Sequence, residues 1–95
     1  MRRAARTDKN HEEVVNALRT IGASVQSLTA TGKGCPDLLV GYRGINYLME
    51  VKDGNKVPSA QKLTIDQEHW HNLWRGSVHI VKSVDEALKI LQDKK

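Results

Sequence analysis

Between Gly34 and Gly54 the chain reads GCPDLLVGYRGINYLMEVKDG, with an acid directly after a proline and, further on, an acid and a lysine two residues apart. The run reads as strand, turn, strand. A turn at Arg43 and Gly44 sets Tyr42 opposite Ile45, Val40 opposite Tyr47, Leu38 opposite Met49 and Asp37 opposite Glu50. Carboxylates paired in this way have β-carbons roughly 4.5–5.5 Å apart and repel each other. Side chains alternate along a strand, so Lys52 falls on the face of Glu50 and joins the two acids. The bland explanation is a solvated ion pair at the strand ends. The chemical one is a divalent cation between the carboxylates with an amine beside it, a set able to activate water and to stabilise charge on a phosphodiester. The flanking residues favour the second. Leu38, Leu39 and Val40 on one strand and Tyr47, Leu48, Met49 and Val51 on the other read as central strands covered on both faces. Register is the critical step, because Arg-Gly is not a favoured pair for a two-residue turn and a slip by one residue would turn the acids apart.

The elements around the hairpin follow from periodicity and punctuation. From about Lys9 to Ile21, residues Val14, Ala17, Leu18 and Ile21 recur at helical spacing, and Gly22 closes the run. ASVQSL alternates as a strand, and DLLVGY and NYLMEVK form the hairpin. After the polar loop DGNKVPSAQK, Thr64 and Gln67 have capping-box spacing, and Trp70, Leu73 and Trp74 supply the apolar positions of a second helix ending near Gly76. SVHIV is a short β-branched strand, and Ser83 with Glu86 opens a third helix containing Val84, Ala87, Leu88 and Leu91. The order αβββαβα predicts an α/β fold, an antiparallel meander followed by a helical crossover that brings the last strand in parallel, giving a mixed central sheet flanked by helices.

Composition bounds the remainder. A chain of 95 residues, 39% hydrophobic and 27% charged, has room for one compact domain over residues 10–95, preceded by a basic arm over residues 1–9. With two tryptophans, two tyrosines and no phenylalanine, the core must be built mainly of aliphatic residues, with Trp70 and Trp74 as its largest pieces. Such a thin core would gain from dimerisation. Cys35 stands alone, which excludes an internal disulfide framework and a cysteine zinc site. The amino end lacks the apolar stretch of a signal peptide and no run is long enough to span a bilayer, so a soluble, cytoplasmic protein without a membrane partner is expected. A net charge of +4, with Arg2, Arg3, Arg6 and Lys9 near one end and Lys94 and Lys95 at the other, suits a polyanion partner as well as it suits a solvated tail.

Pro36-Asp37, the hairpin, and Glu50-Val51-Lys52 resemble the PD-(D/E)XK nuclease signature, and the element order matches that fold. More narrowly, GCPDLLVG, YLMEVKDG and KLTIDQEHWHNLWRG resemble the virus-type replication-repair nuclease domain in its stand-alone phage and bacterial form, over Asn10 to Leu91. The resemblance implies a restriction-endonuclease-like αβββαβ(α) core and a Mg2+ cofactor, with Mn2+ as a substitute. It implies that Asp37 and Glu50 are metal ligands, with the main-chain carbonyl of Val51 as a third, and that Lys52 takes the place of the motif lysine. Family members often add an acid from the first helix; here Glu13 flanks the face of Val14, Ala17 and Leu18, whereas Glu12 points away. Asn10 could support the site or begin the helix, with the cap preferred. Gln67 matches the family glutamine but has a structural reason in its capping box.

Lys33, Lys56 and Lys62 lie in loops suited to gripping phosphates, or are surface lysines. Trp70 and Trp74 read as core in preference to base-stacking platforms. His69 and His71 in EHWHN do not make a paired zinc site, because helical residues two apart face different directions, and His11 and His79 read as structural. The function so implied is that of a metal-dependent, structure-specific DNA endonuclease, of Holliday-junction-resolving type, acting as a homodimer on branched DNA in a bacterial or phage-infected cell. The alternative is a non-catalytic DNA-binding or assembly domain on the same scaffold.

Overall fold

The computed structural model describes residues 9–93, so Arg2, Arg3 and Arg6 of the basic arm and Lys94 and Lys95 lie outside the described residues. Helix α1 (Lys9–Thr20) is followed by strands β1 (Ser24–Ser27), β2 (Leu38–Tyr42) and β3 (Ile45–Val51), helix α2 (Ile65–Leu73), strand β4 (His79–Val81) and helix α3 (Val84–Gln92). The strands form one sheet in the order β1-β2-β3-β4. The first three are antiparallel neighbours, and the crossover through α2 brings β4 in parallel to β3. This is the mixed sheet expected from the order of elements.

The β2–β3 turn settles the register. Leu38 lies opposite Met49, Val40 opposite Tyr47 and Tyr42 opposite Ile45. Arg43 and Gly44 both adopt left-handed backbone, φ 52° and 82°, the sense of turn that matches the twist of two antiparallel strands. Arginine is an unusual residue there, and its guanidinium lies 5.1 Å from the centre of the Tyr42 ring, a cation–π contact that offsets part of the backbone cost.

One sheet face carries the core. Leu38, Val40, Met49, Val51 and Val81 meet Val14 and Leu18 of α1 and Ala87 and Leu91 of α3, and all are buried. The other face differs from expectation: Leu39 is 37% exposed, Ile80 42% and Trp74 46%, and α2 buries none of its residues. β2 and β3 are the two central strands, as expected, and β3 is covered on both sides where Met49, Glu50 and Val51 are buried; full coverage of β2, and the placement of Trp70 and Trp74 in the core, are corrected. Helical geometry explains it. At 100° per residue, Trp70, Trp74, Gln67 and His71 share one side of α2 while Ile65 and Leu73 point elsewhere. A face with an amide and an imidazole at its centre cannot seal an apolar layer.

What anchors α2 is its first turn. Gly34 has φ 81°, and a β-carbon there would collide with the main chain of Asp66 and Gln67. The loop before Asp37 thus packs directly on the start of α2. Gly34→Ala is expected to destabilise the domain by roughly 2–4 kcal/mol, combining left-handed strain with overpacking, measurable by urea unfolding. Among the described residues no helix is long and apolar enough to cross a membrane.

Candidate active site

Asp37 immediately precedes β2, Glu50 and Val51 end β3, and Lys52 directly follows it. The Val51 amide donates to Asp37 Oδ2 at 2.9 Å, so the carboxylate is held across the strand pair in one orientation. The Asp37 carbonyl in turn accepts from the Leu28 amide at 2.7 Å. Lys52 is secured through its backbone: its amide donates to the Val81 carbonyl at 2.9 Å, and its carbonyl accepts from Asn10 Nδ2 at 2.8 Å. Glu50 is only 1% exposed and Lys52 8%. Burial of this degree is not what a solvated surface pair shows.

Gln67 links the two charged side chains. Its Oε1 accepts from Lys52 Nζ at 2.8 Å, and its Nε2 donates to Glu50 Oε2 at 2.9 Å. This amide orientation is the one that gives the ammonium an acceptor and the carboxylate a donor. The same Oε1 accepts from the Thr64 amide at 2.9 Å, while Thr64 Oγ1 accepts from the Gln67 amide at 3.2 Å. Gln67 thus serves both the helix start and the charged pair, where the sequence offered these as alternatives. Stability should separate the two services. Thr64→Ala is expected to cost about 1 kcal/mol, an ordinary capping loss, and Gln67→Ala roughly 2–4 kcal/mol, because hydrogen bonds to two charged partners go as well; urea unfolding of both variants checks the difference.

Two neighbouring groups report the local field. The half-buried Cys35 thiol is pushed up, first by burial and then by the negative charges of Glu50 and Asp37, against a lowering hydrogen bond with Thr31. His71 is held below the usual imidazole range, first by burial and then by the Lys52 ammonium, and its Nε2 is buried without a hydrogen-bond partner among the described residues. Helical spacing sets His69 and His71 aside as a metal pair, and the two do differ in exposure. The signal that could have found His71 is its spacing of four from Gln67, which puts the imidazole one turn along the site-facing side.

The remaining candidates lie further out. Glu13 is exposed and lines a cleft of about 500 Å3 together with Asn10, Asp53, Gln61, Lys82 and Glu86, a wall that includes neither Asp37 nor Glu50. Asn10 is not the cap preferred from sequence: it sits inside α1, and its Nδ2 spans the Lys52 and, at 3.3 Å, Lys82 carbonyls, tying together the ends of β3 and β4. Lys33, Lys56 and Lys62 are exposed on loops, Lys62 beside Pro58, Glu68 and Ile80.

The donors suit a hard cation. Among the described residues no group of three or more His, Cys, Asp or Glu side chains is poised to hold a metal. Two carboxylates with a main-chain carbonyl are nevertheless the kind of partial oxygen set with which Mg2+ is held, since it retains several waters and takes substrate phosphate as well.

Comparison with known proteins bears on the fold that carries these residues. A solved structure described as a VRR_NUC domain, the virus-type replication-repair nuclease module, superposes with a TM-score of 0.64 and 27% sequence identity, over 90% of this chain and 92% of that one. No family model matches, and no curated protein does.

Proposed function

We propose, from the premise that this chain shares its fold with a VRR_NUC domain and carries an acid-and-lysine motif on its central hairpin, that it is a Mg2+-dependent DNA endonuclease. The observation that carries this reading is the Gln67 amide standing between a buried carboxylate and a buried ammonium, next to an Asp37 carboxylate oriented by the Val51 amide. Asp37, Glu50 and the Val51 carbonyl would hold the ion. When bound, Mg2+ or Mn2+ supplies a polarised water and neutralises charge on the phosphoryl oxygens.

The chain's own groups divide the rest. Gln67 keeps Lys52 Nζ in place beside Glu50, so the amine is presented without a search through its rotamers. From there Lys52 either, as the neutral amine left after its own proton has passed to solvent, takes a proton from the attacking water, or, as the ammonium, donates to a phosphoryl oxygen as charge accumulates. Glu13 serves the ion at longer range, the loop lysines Lys33, Lys56 and Lys62 serve the DNA backbone, and Asn10 acts by fixing the strand end that leads into Lys52.

The preferred substrate in this reading is branched DNA, a four-way junction above all, and the working form is a homodimer. Net positive charge supports a nucleic-acid partner. One domain of this size has little surface with which to grip a junction, and a two-fold pair suits paired cuts across a symmetric branch. The test is a panel of four-way junctions, flaps, splayed arms and linear duplex incubated with Mg2+, alongside the mass in solution. Cleavage of branched substrates by a dimer is expected; binding with no cleavage in Mg2+ or Mn2+ would establish the non-catalytic alternative.

A further inference from the structure

Beside the charged site, on the incompletely covered face of the sheet, lies a trough of about 520 Å3. Leu39 and Leu48 of the sheet and Trp70 and Trp74 of the α2 segment line it. The two indoles are stacked, 4.6 Å between ring centres and 18° between planes, and Trp74 keeps 46% of its surface exposed. Asn46 and Ser77 add an amide and a hydroxyl. This is the usual constitution of a site for a flat heterocycle: concave, mainly apolar, with a few polar groups to meet a ring edge.

Three observations bear on the occupant. First, the trough runs up to the site, because Leu48 in its lining stands two residues before Glu50 on the same face of β3, and Cys35 stands two residues before Asp37. Second, no carboxylate among the described residues lines it, while exposed cations follow and precede its lining residues, Arg75 next to Trp74 and Lys33 two residues before Cys35. An anionic chain can therefore enter without meeting an acid. Third, the same cations disfavour a second copy seated here, since a two-fold contact would bring like charges together around an apolar centre.

We infer that the trough holds an unpaired nucleobase of the DNA, stacked on Trp74, with its phosphate backbone passing towards Asp37, Glu50 and Lys52. The inference rests on the endonuclease reading and adds a reason for branch preference, since unstacked bases are available at branch points and absent from regular duplex. Base–aromatic stacking is sensitive to truncation and tolerant of sequence.

The experiment compares binding of the full chain, in metal-free buffer, to a duplex bearing a single 2-aminopurine bulge and to the same duplex fully paired. Trp74→Ala should weaken binding to the bulged DNA by roughly 5- to 100-fold and leave paired-duplex binding essentially unchanged, with Trp74→Phe restoring most of the loss. Quenching of 2-aminopurine emission by the wild-type protein gives the same answer without any substitution, should Trp74→Ala fail to fold by circular dichroism. Equal loss on both DNAs, or no loss together with no quenching, overturns the base site. A drop from dimer to monomer in Trp74→Ala, with both DNAs affected alike, assigns the trough to a contact between copies and overturns it too. Failure of the nuclease reading is separately visible as absence of Mg2+-dependent cleavage by the wild-type protein.

Discussion

Lys52→Met is expected to lower Mg2+-dependent cleavage by roughly 10²–10⁴-fold, the range typical of losing a positioned proton-transfer or charge-stabilising group. The substitution keeps an apolar stem in a position that is 8% exposed and leaves Gln67 its bonds to Thr64 and Glu50, so the fold should persist by circular dichroism. Lys52→Arg then separates the two roles open to the amine. A guanidinium remains charged at any working pH and cannot accept a proton. If Lys52 acts as a base, the arginine variant should be as inactive as the methionine one; if it stabilises charge, it should recover much of the rate. Near wild-type cleavage by Lys52→Met would remove Lys52 from the chemistry altogether.

Glu50→Gln is expected to have different effects in the absence and presence of metal. Without metal the variant should lose little stability, because relief of a buried carboxylate near Asp37 offsets the lost attraction of the Lys52 ammonium across Gln67. The Gln67 amide retains an oxygen to which it can donate. With Mn2+ at a hundred times its dissociation constant, the wild-type protein should gain about 2.7 kcal/mol, roughly 10–20 °C in Tm for a domain of this length. The variant should lose most of that gain, together with cleavage. Thermal melts with and without Mn2+ decide the matter. An equal metal response in both proteins would dismiss Glu50 as a ligand, and a large stability loss in metal-free Glu50→Gln would favour a structural charge pair with Lys52.

The hairpin was legible because its information is local. The apolar runs Leu38–Val40 and Tyr47–Val51 mark the two strands, and the two-residue turn at Arg43 and Gly44 pairs Leu38 with Met49 and Val40 with Tyr47. The Thr64 and Gln67 pairing was legible for the same reason, a fixed spacing with a defined bond pattern. Ser83 and Glu86, which have the same spacing at the start of α3, complete only half of that pattern: Ser83 Oγ accepts from the Glu86 amide, but Glu86 turns its carboxylate to the Lys82 amide. What escaped depends on contacts distant in sequence. Asn10 reads as a cap until α1 is laid across the carbonyls of Lys52 and Lys82. Trp70 and Trp74 read as core until the first turn of α2 is pinned by Gly34 and Gln67, which turns a mixed polar and aromatic side towards the sheet. Spacing alone cannot tell a core stripe from a half-open wall.

One oxygen, Gln67 Oε1, meets both the backbone that starts α2 and the ammonium of Lys52. Placement of the Lys52 amine is thereby coupled to completion of a helix that comes later in the chain. A nascent or partly unravelled polypeptide, with the hairpin formed but the helix undone, lacks that clasp, so under the proposed endonuclease reading cleavage would begin only as the domain finishes folding.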